Sequence, residues 1–162
     1  MARESDQPDT NAMRARPFTI LLVDDDQDCR SIMRDAFDEV SGSHRIIELE
    51  NGKDAIDYLL DSDESIRPDL IFLDLEMPRM GGLEVLEMAK SHPRLKSIPV
   101  IVLSGVSDCD VIERALMLGA NSYTVKQNRI EEFIAAVSAS ATYWLTMHQY
   151  PRKALQQKLA SM

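Results

Sequence analysis

A doubly wound α/β domain, built on a five-stranded parallel sheet with helices on both faces, is what this sequence predicts, and three observations carry the prediction. Five short apolar runs, TILLV (19–23), RIIEL (45–49), DLIFL (69–73), PVIVL (99–103) and SYTV (122–125), recur at intervals of about 20 to 30 residues. Each interval holds one segment of helical period, the length of crossover that joins parallel strands. The runs are mostly continuous in apolar character rather than alternating, as strands covered on both faces are.

The intervals justify one helix each. Between the first two runs, Cys29, Ile32, Met33, Ala36, Phe37 and Val40 fall at helical spacing, and Gly42 is placed to end that helix. Ala55, Ile56, Leu59 and Leu60 mark a second. A third covers Leu83 to about Lys90 and is stopped by Pro93, and a fourth covers Val111 to Leu118 and is closed by Gly119. The fifth begins near Arg129, uses Ile130, Phe133, Ile134, Val137, Ala141, Trp144 and Leu145, and is expected to persist to Pro151. For Ile134 and Val137 the plain reading is core packing. Trp144 and Leu145 lie beyond the length the sheet should cover, so their burial is expected to need another surface.

Bulk properties exclude several classes. A chain of 162 residues fits one domain with a proper core. Residues 1–17 carry three acids and three bases and residues 151–162 three bases alone, so the middle holds 24 acids against 12 bases. That excess argues against a surface for DNA, RNA or anionic lipid. Cys29 and Cys109 form no CxxC, which leaves no disulfide framework or zinc knuckle to propose. No apolar run approaches membrane-spanning length and the first residues lack the apolar centre of a signal peptide, so a cytoplasmic protein is expected. Residues 1–17, polar and without period, are expected to be a disordered tail, residues 18–150 the domain, and residues 151–162 a short basic tail.

In a sheet of this kind ligands sit beyond the carboxyl ends of the strands, where strand order reverses. The first run ends in Asp24 and Asp25, the third in Asp74, the fourth in Ser104 and the fifth in Lys126. An Asp after a strand is most often a helix cap, a Ser there usually satisfies backbone, and a lone Lys is usually solvated. All of them at strand ends, in a fold that gathers strand ends, point instead to a site. Like charges about 5 Å apart at an effective dielectric of about 20 cost on the order of 3 kcal/mol per pair, so the cluster calls for a counter-ion. Clustered carboxylates suit magnesium, which takes a few carboxylates together with waters and phosphate oxygens. Direct phosphate binding would need a Gly-rich loop where this chain has DDDQDC. With magnesium in place, one carboxylate can attack phosphorus to give an acyl phosphate while Lys and Ser hold the transferred oxygens. Asp74 is the expected nucleophile, because its strand is central and lies between the acidic loop and the Ser and Lys strands.

LLVDDD, PDLIFLDLEMPRMGGLEVL, IPVIVLSG and LGANSYTVK together resemble the receiver domain of two-component response regulators, across roughly residues 18–140. The resemblance implies a (βα)5 flavodoxin-like fold of strand order 2-1-3-4-5. It makes Asp24 and Asp25 the metal-binding acidic pair, with Asp74 as phosphoacceptor and the Glu76 backbone carbonyl as a further magnesium ligand. Ser104 matches the switch hydroxyl, Lys126 the phosphate-pairing lysine and Tyr123 the rotating aromatic. IEEFIAAVSASATYWLTMHQYP resembles the extended last helix of single-domain regulators that accompany phytochrome-type sensor kinases. The implied partners are a sensor histidine kinase, docking on the first helix around Gln27, Arg30 and Arg34, and a second copy through the fourth and fifth helices and fifth strand. No output domain is expected in the twelve residues after Tyr150.

Three departures bear on the site. Gln127 stands where the family usually has a proline, commonly cis; a non-proline cis bond costs about 2.5 to 4 kcal/mol, so a trans, reshaped loop is expected. Gly81 replaces a common Asp, which should alter only the loop. Glu76 and Val106 occupy places that in the family tune loss of the phosphoryl group. Two rivals stay open at this point. A small aspartate-nucleophile phosphatase would use Asp24 and Asp26 as a DxD pair but leaves Asp74 unexplained. A receiver-like adaptor would bind partners without phosphorylation.

Overall fold

The computed structural model describes residues 17–40, 44–63 and 66–150. The tail expected over residues 1–17 falls outside that range except for Pro17, as do Gly42 and the basic tail 151–162. The elements are β1 (Phe18–Val23), α1 (Gln27–Asp38), β2 (His44–Leu49), α2 (Gly52–Asp61), β3 (Leu70–Leu73), α3 (Gly82–Ser91), β4 (Val100–Ser104), α4 (Cys109–Met117), β5 (Ser122–Val125) and α5 (Ile130–Thr142), the last continued by a π turn, Tyr143–Met147. All five strands pair in parallel in the order β2-β1-β3-β4-β5. The expected order is the observed one, and the chain changes winding direction at β1. The crevice this opens lies at the carboxyl ends of β1 and β3, which are continued by Asp24 and Asp74.

Every residue of β1, β3 and β4 is buried, whereas β2 and β5 are only partly so. The alternation of side chains along the central strands splits the core into two layers. Leu21, Val23, Ile71 and Leu73 face α2, α3 and α4 through Leu59, Leu86 and Ala115. Ile20, Leu22, Leu70 and Phe72 face α1 and α5 through Phe37, Phe133 and Val137. Phe37 and Phe72 meet with ring centroids 5.0 Å apart.

The last helix departs from expectation in three ways. It turns its Phe133, Val137, Ala141 and Trp144 stripe to the core, which leaves Ile130 and Ile134 56% and 42% exposed. Ile134 is therefore not a core residue, because it sits about 100° round the helix from Phe133. The helix also stops short of Pro151: the His148 N–H reaches back to the Tyr143 carbonyl at 2.9 Å, widening the last turn, and His148 itself is extended. Finally, Trp144 is buried by its own chain. Tyr143 and His148 pack on its ring at centroid distances of 5.1 and 4.6 Å, and the Tyr150 hydroxyl donates to its carbonyl at 2.9 Å. Tyr150 in turn stands edge-on against Phe18 of β1, 5.0 Å away. The chain after the π turn folds back over the sheet and provides the surface that sequence reasoning sought in a partner. Trp144→Ala is expected to cost about 3–5 kcal/mol, the usual loss for a buried Trp. Chemical denaturation at two protein concentrations checks this, since an intrachain contact gives a loss independent of concentration.

Candidate functional site

The Asp triplet after β1 divides its labour. Asp26 is the N-cap of α1: its carboxylate accepts the backbone N–H groups of Asp28 and Cys29, and the Cys29 N–H above all holds its pKa below the usual carboxylate value. Asp24 is buried, 2% exposed, because its N–H continues the sheet to the Leu49 carbonyl at 3.1 Å. Asp25, between them, is exposed to solvent. An Asp24 and Asp26 pair of phosphatase type does not form a site here, since Asp26 is committed to the helix.

Asp74 follows β3 in the same manner, its N–H on the Val23 carbonyl at 2.9 Å. One of its oxygens, Oδ1, accepts the Glu76 N–H at 3.1 Å, and the other lies 3.3 Å from Lys126 Nζ. Lys126 is carried in from β5, where its N–H extends the ladder to the Ser104 carbonyl at 2.8 Å. The Lys126–Gln127 peptide is trans, as expected without proline. Lys126 Nζ donates to Asp24 Oδ2 at 2.7 Å, so one ammonium bridges the two buried carboxylates.

Burial and charge compete here. Burial raises the Asp74 pKa above the usual carboxylate value against the opposing pull of Lys126. For Lys126, burial acts to lower the pKa, but the hydrogen bond and charge of Asp24, with the charge of Asp74, outweigh it and hold the proton more tightly than in an ordinary lysine. Burial likewise pushes the neighbouring Cys29 thiol up to about 11, which keeps it protonated and unreactive at neutral pH.

Carboxylate oxygens of Asp24, Asp25 and Asp74 lie within 4.8 Å of one another. Three carboxyl groups facing one ammonium gather hard oxygen donors in excess of cationic partners, the chemistry that suits a divalent cation. On the far side of Asp74, Ser104 is fully buried and its Oγ accepts the Val106 N–H at 3.3 Å. The Tyr123 hydroxyl donates to the Val106 carbonyl at 2.7 Å, and burial raises its pKa. Val106 thus ties the β4–α4 loop to both residues. Every sequence-predicted site residue, Asp24, Asp25, Asp74, Glu76, Ser104, Tyr123 and Lys126, stands on this one rim.

Two contributors were not legible as such. Arg30, which resemblance placed on an exposed helix face, is 7% exposed and donates from Nη1 to the Asp24 carbonyl at 2.7 Å. The available signal was its spacing to Met33 and Phe37, which puts it on the buried side of α1. Gly82, the first residue of α3, passes so close under Asp74 that a Cβ would stand 2.2 Å from the Asp74 carbonyl oxygen.

Comparison with known proteins agrees with this geometry. A model of the response regulator receiver domain matches residues 20–138. The chain is similar to the response regulator Rcp1 of Synechocystis sp., 33% identical over 132 residues that cover 80% of this chain and 90% of that one. It is also similar to a probable methanogenesis regulatory protein, FilR2, of Methanothrix harundinacea, 36% identical over 83% of this chain and 88% of that one. Among solved structures, the Mn2+-bound form of Rcp1 superposes with a TM-score of 0.80 at 31% identity, covering 83% of this chain and 99% of that one. The phosphorylated cyanobacterial phytochrome response regulator RcpA gives 0.78 at 33% identity with the same coverage. The family match spans most of the chain, and the acidic rim lies where the fold's reversal of strand order puts a site: this chain belongs to the response regulator receiver domain family.

Proposed function

We propose that this chain is a phosphoacceptor regulator that takes a phosphoryl group onto Asp74 from the phosphohistidine of a sensor kinase, of phytochrome type by the likeness to Rcp1 and RcpA. The observation that carries the proposal is Lys126 Nζ held between Asp24 and Asp74, with Asp25 open beside them. A bound Mg2+ would neutralise the carboxylates and the incoming phosphoryl oxygens, held by Asp25, Asp74 and the Glu76 carbonyl, with Asp24 mostly through an intervening water.

In the reaction, the Asp74 carboxylate attacks phosphorus of a phosphohistidine protonated on its other ring nitrogen, the P–N bond breaks, and neutral imidazole leaves keeping that proton. Asp74 can do this because the Glu76 N–H and Lys126 orient its two oxygens in opposite directions. Lys126 then has a phosphoryl oxygen to pair with in place of Asp74 Oδ2. Ser104 moves its hydroxyl from the Val106 N–H to another phosphoryl oxygen, which releases the loop that Tyr123 also holds through Val106. The turn of Tyr123 into the vacated space passes the change to α4, β5 and α5. The kinase docks on α1 around Gln27 and Arg34; Arg30 is too buried to contribute to that surface. In this reading the chain turns over no substrate of its own and works in the cytoplasm, without nucleic acid or membrane. No helix among the described residues is long and apolar enough to cross a membrane.

The proposal is tested by intact mass after incubation with a small-molecule phosphodonor. One phosphoryl group taken up with Mg2+ and none in chelator is expected; no uptake in either condition favours phosphorylation-independent adaptor binding.

The same proposal extends to a homodimer through α4, β5 and α5. Leu116, Met117, Ile130 and Ile134 are exposed on these helices, with Met117 at 82%. Ile134→Asp is expected to shift sedimentation at micromolar concentration from dimer to monomer. A native protein that is monomeric with and without phosphate analogue overturns this.

A further inference from the structure

Arg30 lies beneath the acidic loop, and its contacts are unlike those of a surface arginine. Besides the Asp24 carbonyl, its Nη2 donates to Glu50 Oε1 at 3.1 Å, and its Nε lies 3.5 Å from Glu48 Oε1 without forming a hydrogen bond. Glu48 is gripped from outside by Arg34 Nη1 at 2.8 Å. The end of β2 therefore supplies two carboxylates that hold the guanidinium in place. Only the arginine is buried: the Glu48 side chain is 29% exposed and the Glu50 side chain 73%, so solvent screens both pairs and they add little to stability.

What the guanidinium holds is one peptide unit, the one joining Asp24 to Asp25. The other polar groups of Asp24 are already placed: its N–H on Leu49, Oδ1 on the Asp26 N–H at 2.9 Å, and Oδ2 on Lys126. The bond from Arg30 to its carbonyl fixes the peptide that leads into Asp25, as the Asp26 N–H on Asp24 Oδ1 fixes the one that leads out, and the first of these tilts aims the start of the Asp25 residue. The Asp25 carboxylate is exposed and has no hydrogen-bond partner among the described residues, so its aim depends on the backbone on either side of it.

We propose that Arg30, braced by Glu48 and Glu50, is a positioning residue for divalent-cation binding: it fixes the Asp24–Asp25 peptide so that Asp25 is pre-aimed at the ion. The proposal rests on the metal reading given above. Its sign is diagnostic. Removing a positive charge near three carboxylates should by Coulomb attraction strengthen cation binding, whereas loss of the clamp should weaken it.

The test measures Mn2+ affinity directly, from the paramagnetic resonance signal of free Mn2+, for native protein, Arg30→Met and Arg30→Lys, with thermal unfolding of each recorded without metal. Arg30→Met is expected to bind on the order of tenfold more weakly, in line with other residues that support metal ligands, and Arg30→Lys to fall between. In phosphodonor assays the Mg2+ concentration giving half-maximal rate should rise by the same factor while the rate at saturation is kept, which general damage to the fold would not do. If Arg30→Met does not fold, Arg30→Lys decides. Native binding with folded variants that bind equally well or more tightly overturns the proposal and leaves the metal reading standing. A native protein that binds no Mn2+ overturns both.

Discussion

Asp74→Asn is expected to abolish phosphate uptake and, in the absence of metal, to raise the stability of the protein. The first effect follows from chemistry: an amide lacks the anionic oxygen that forms the acyl phosphate. Intact mass with a small-molecule phosphodonor and Mg2+ reads it, and an acid-stable, base-labile phosphate in the variant would place the nucleophile elsewhere. The second effect follows from burial. Because the folded state raises the Asp74 pKa above its unfolded value, the folded state binds that proton more tightly than the unfolded chain does. Ionisation of Asp74 therefore opposes folding. The penalty is full above the raised pKa and is relieved as pH falls through it toward the unfolded value of 3.8. The asparagine keeps the shape and removes the charge, while Lys126 retains its shorter bond to Asp24. A higher thermal midpoint than that of the native protein is expected for the variant at pH 7. The gain should shrink as pH falls through the raised pKa. Saturating Mg2+ should stabilise the native protein more than the variant, since the native site offers the ion one more carboxylate. Equal midpoints for both proteins at pH 7 without metal would show that Lys126 already cancels the cost of burial.

Gly82→Ala is expected to be among the most damaging single changes in the chain, although it removes no interaction. Its Cβ would lie 2.2 Å from the Asp74 carbonyl oxygen and 2.7 Å from Leu75 Cα, and both are backbone atoms with no rotamer to change. Either α3 or the loop after β3 must move, and that loop carries Glu76. A loss of more than about 3 kcal/mol is expected, with the thermal midpoint down by roughly 6 °C or more. Metal binding should weaken in whatever remains folded. Gly81→Ala is the control. Its backbone is ordinary extended chain, and the nearest atom to an added Cβ is 3.7 Å away. Thermal unfolding of the two variants side by side checks the contrast, and equal midpoints would mean that α3 is free to slide.

Glycine 82 also shows where sequence reading stops. The pair Gly81–Gly82 precedes the helix expected from Leu83, but two adjacent identical letters do not reveal which one is pressed against the backbone of the loop after β3. Trp144 gives the same lesson. Its place beyond the expected helix suggested an unfilled surface, because the return of Tyr150 over Phe18 depends on a widened turn that leaves no periodic trace. Arg30 is the third case: an arginine on a helix reads as solvated until Glu48 and Glu50, some twenty residues later, are brought under it.

What the sequence determined by itself is the set of relations that depend on order and period. Continuous apolar runs with helical intervals dictated a parallel sheet, the sheet dictated that strand ends gather, and the residues at those ends, Asp24, Asp25, Asp74, Ser104 and Lys126, marked the candidate site. Tertiary structure alone decided how the three consecutive aspartates divide into a buried anchor, an exposed candidate metal ligand and a helix cap. It also decided which face of α5 is covered and what holds the acidic loop. The physical reason is one of range. Periodicity and strand termini are local and can be read from neighbours in the chain, whereas burial of a charge or a close backbone approach is set by residues far apart in sequence.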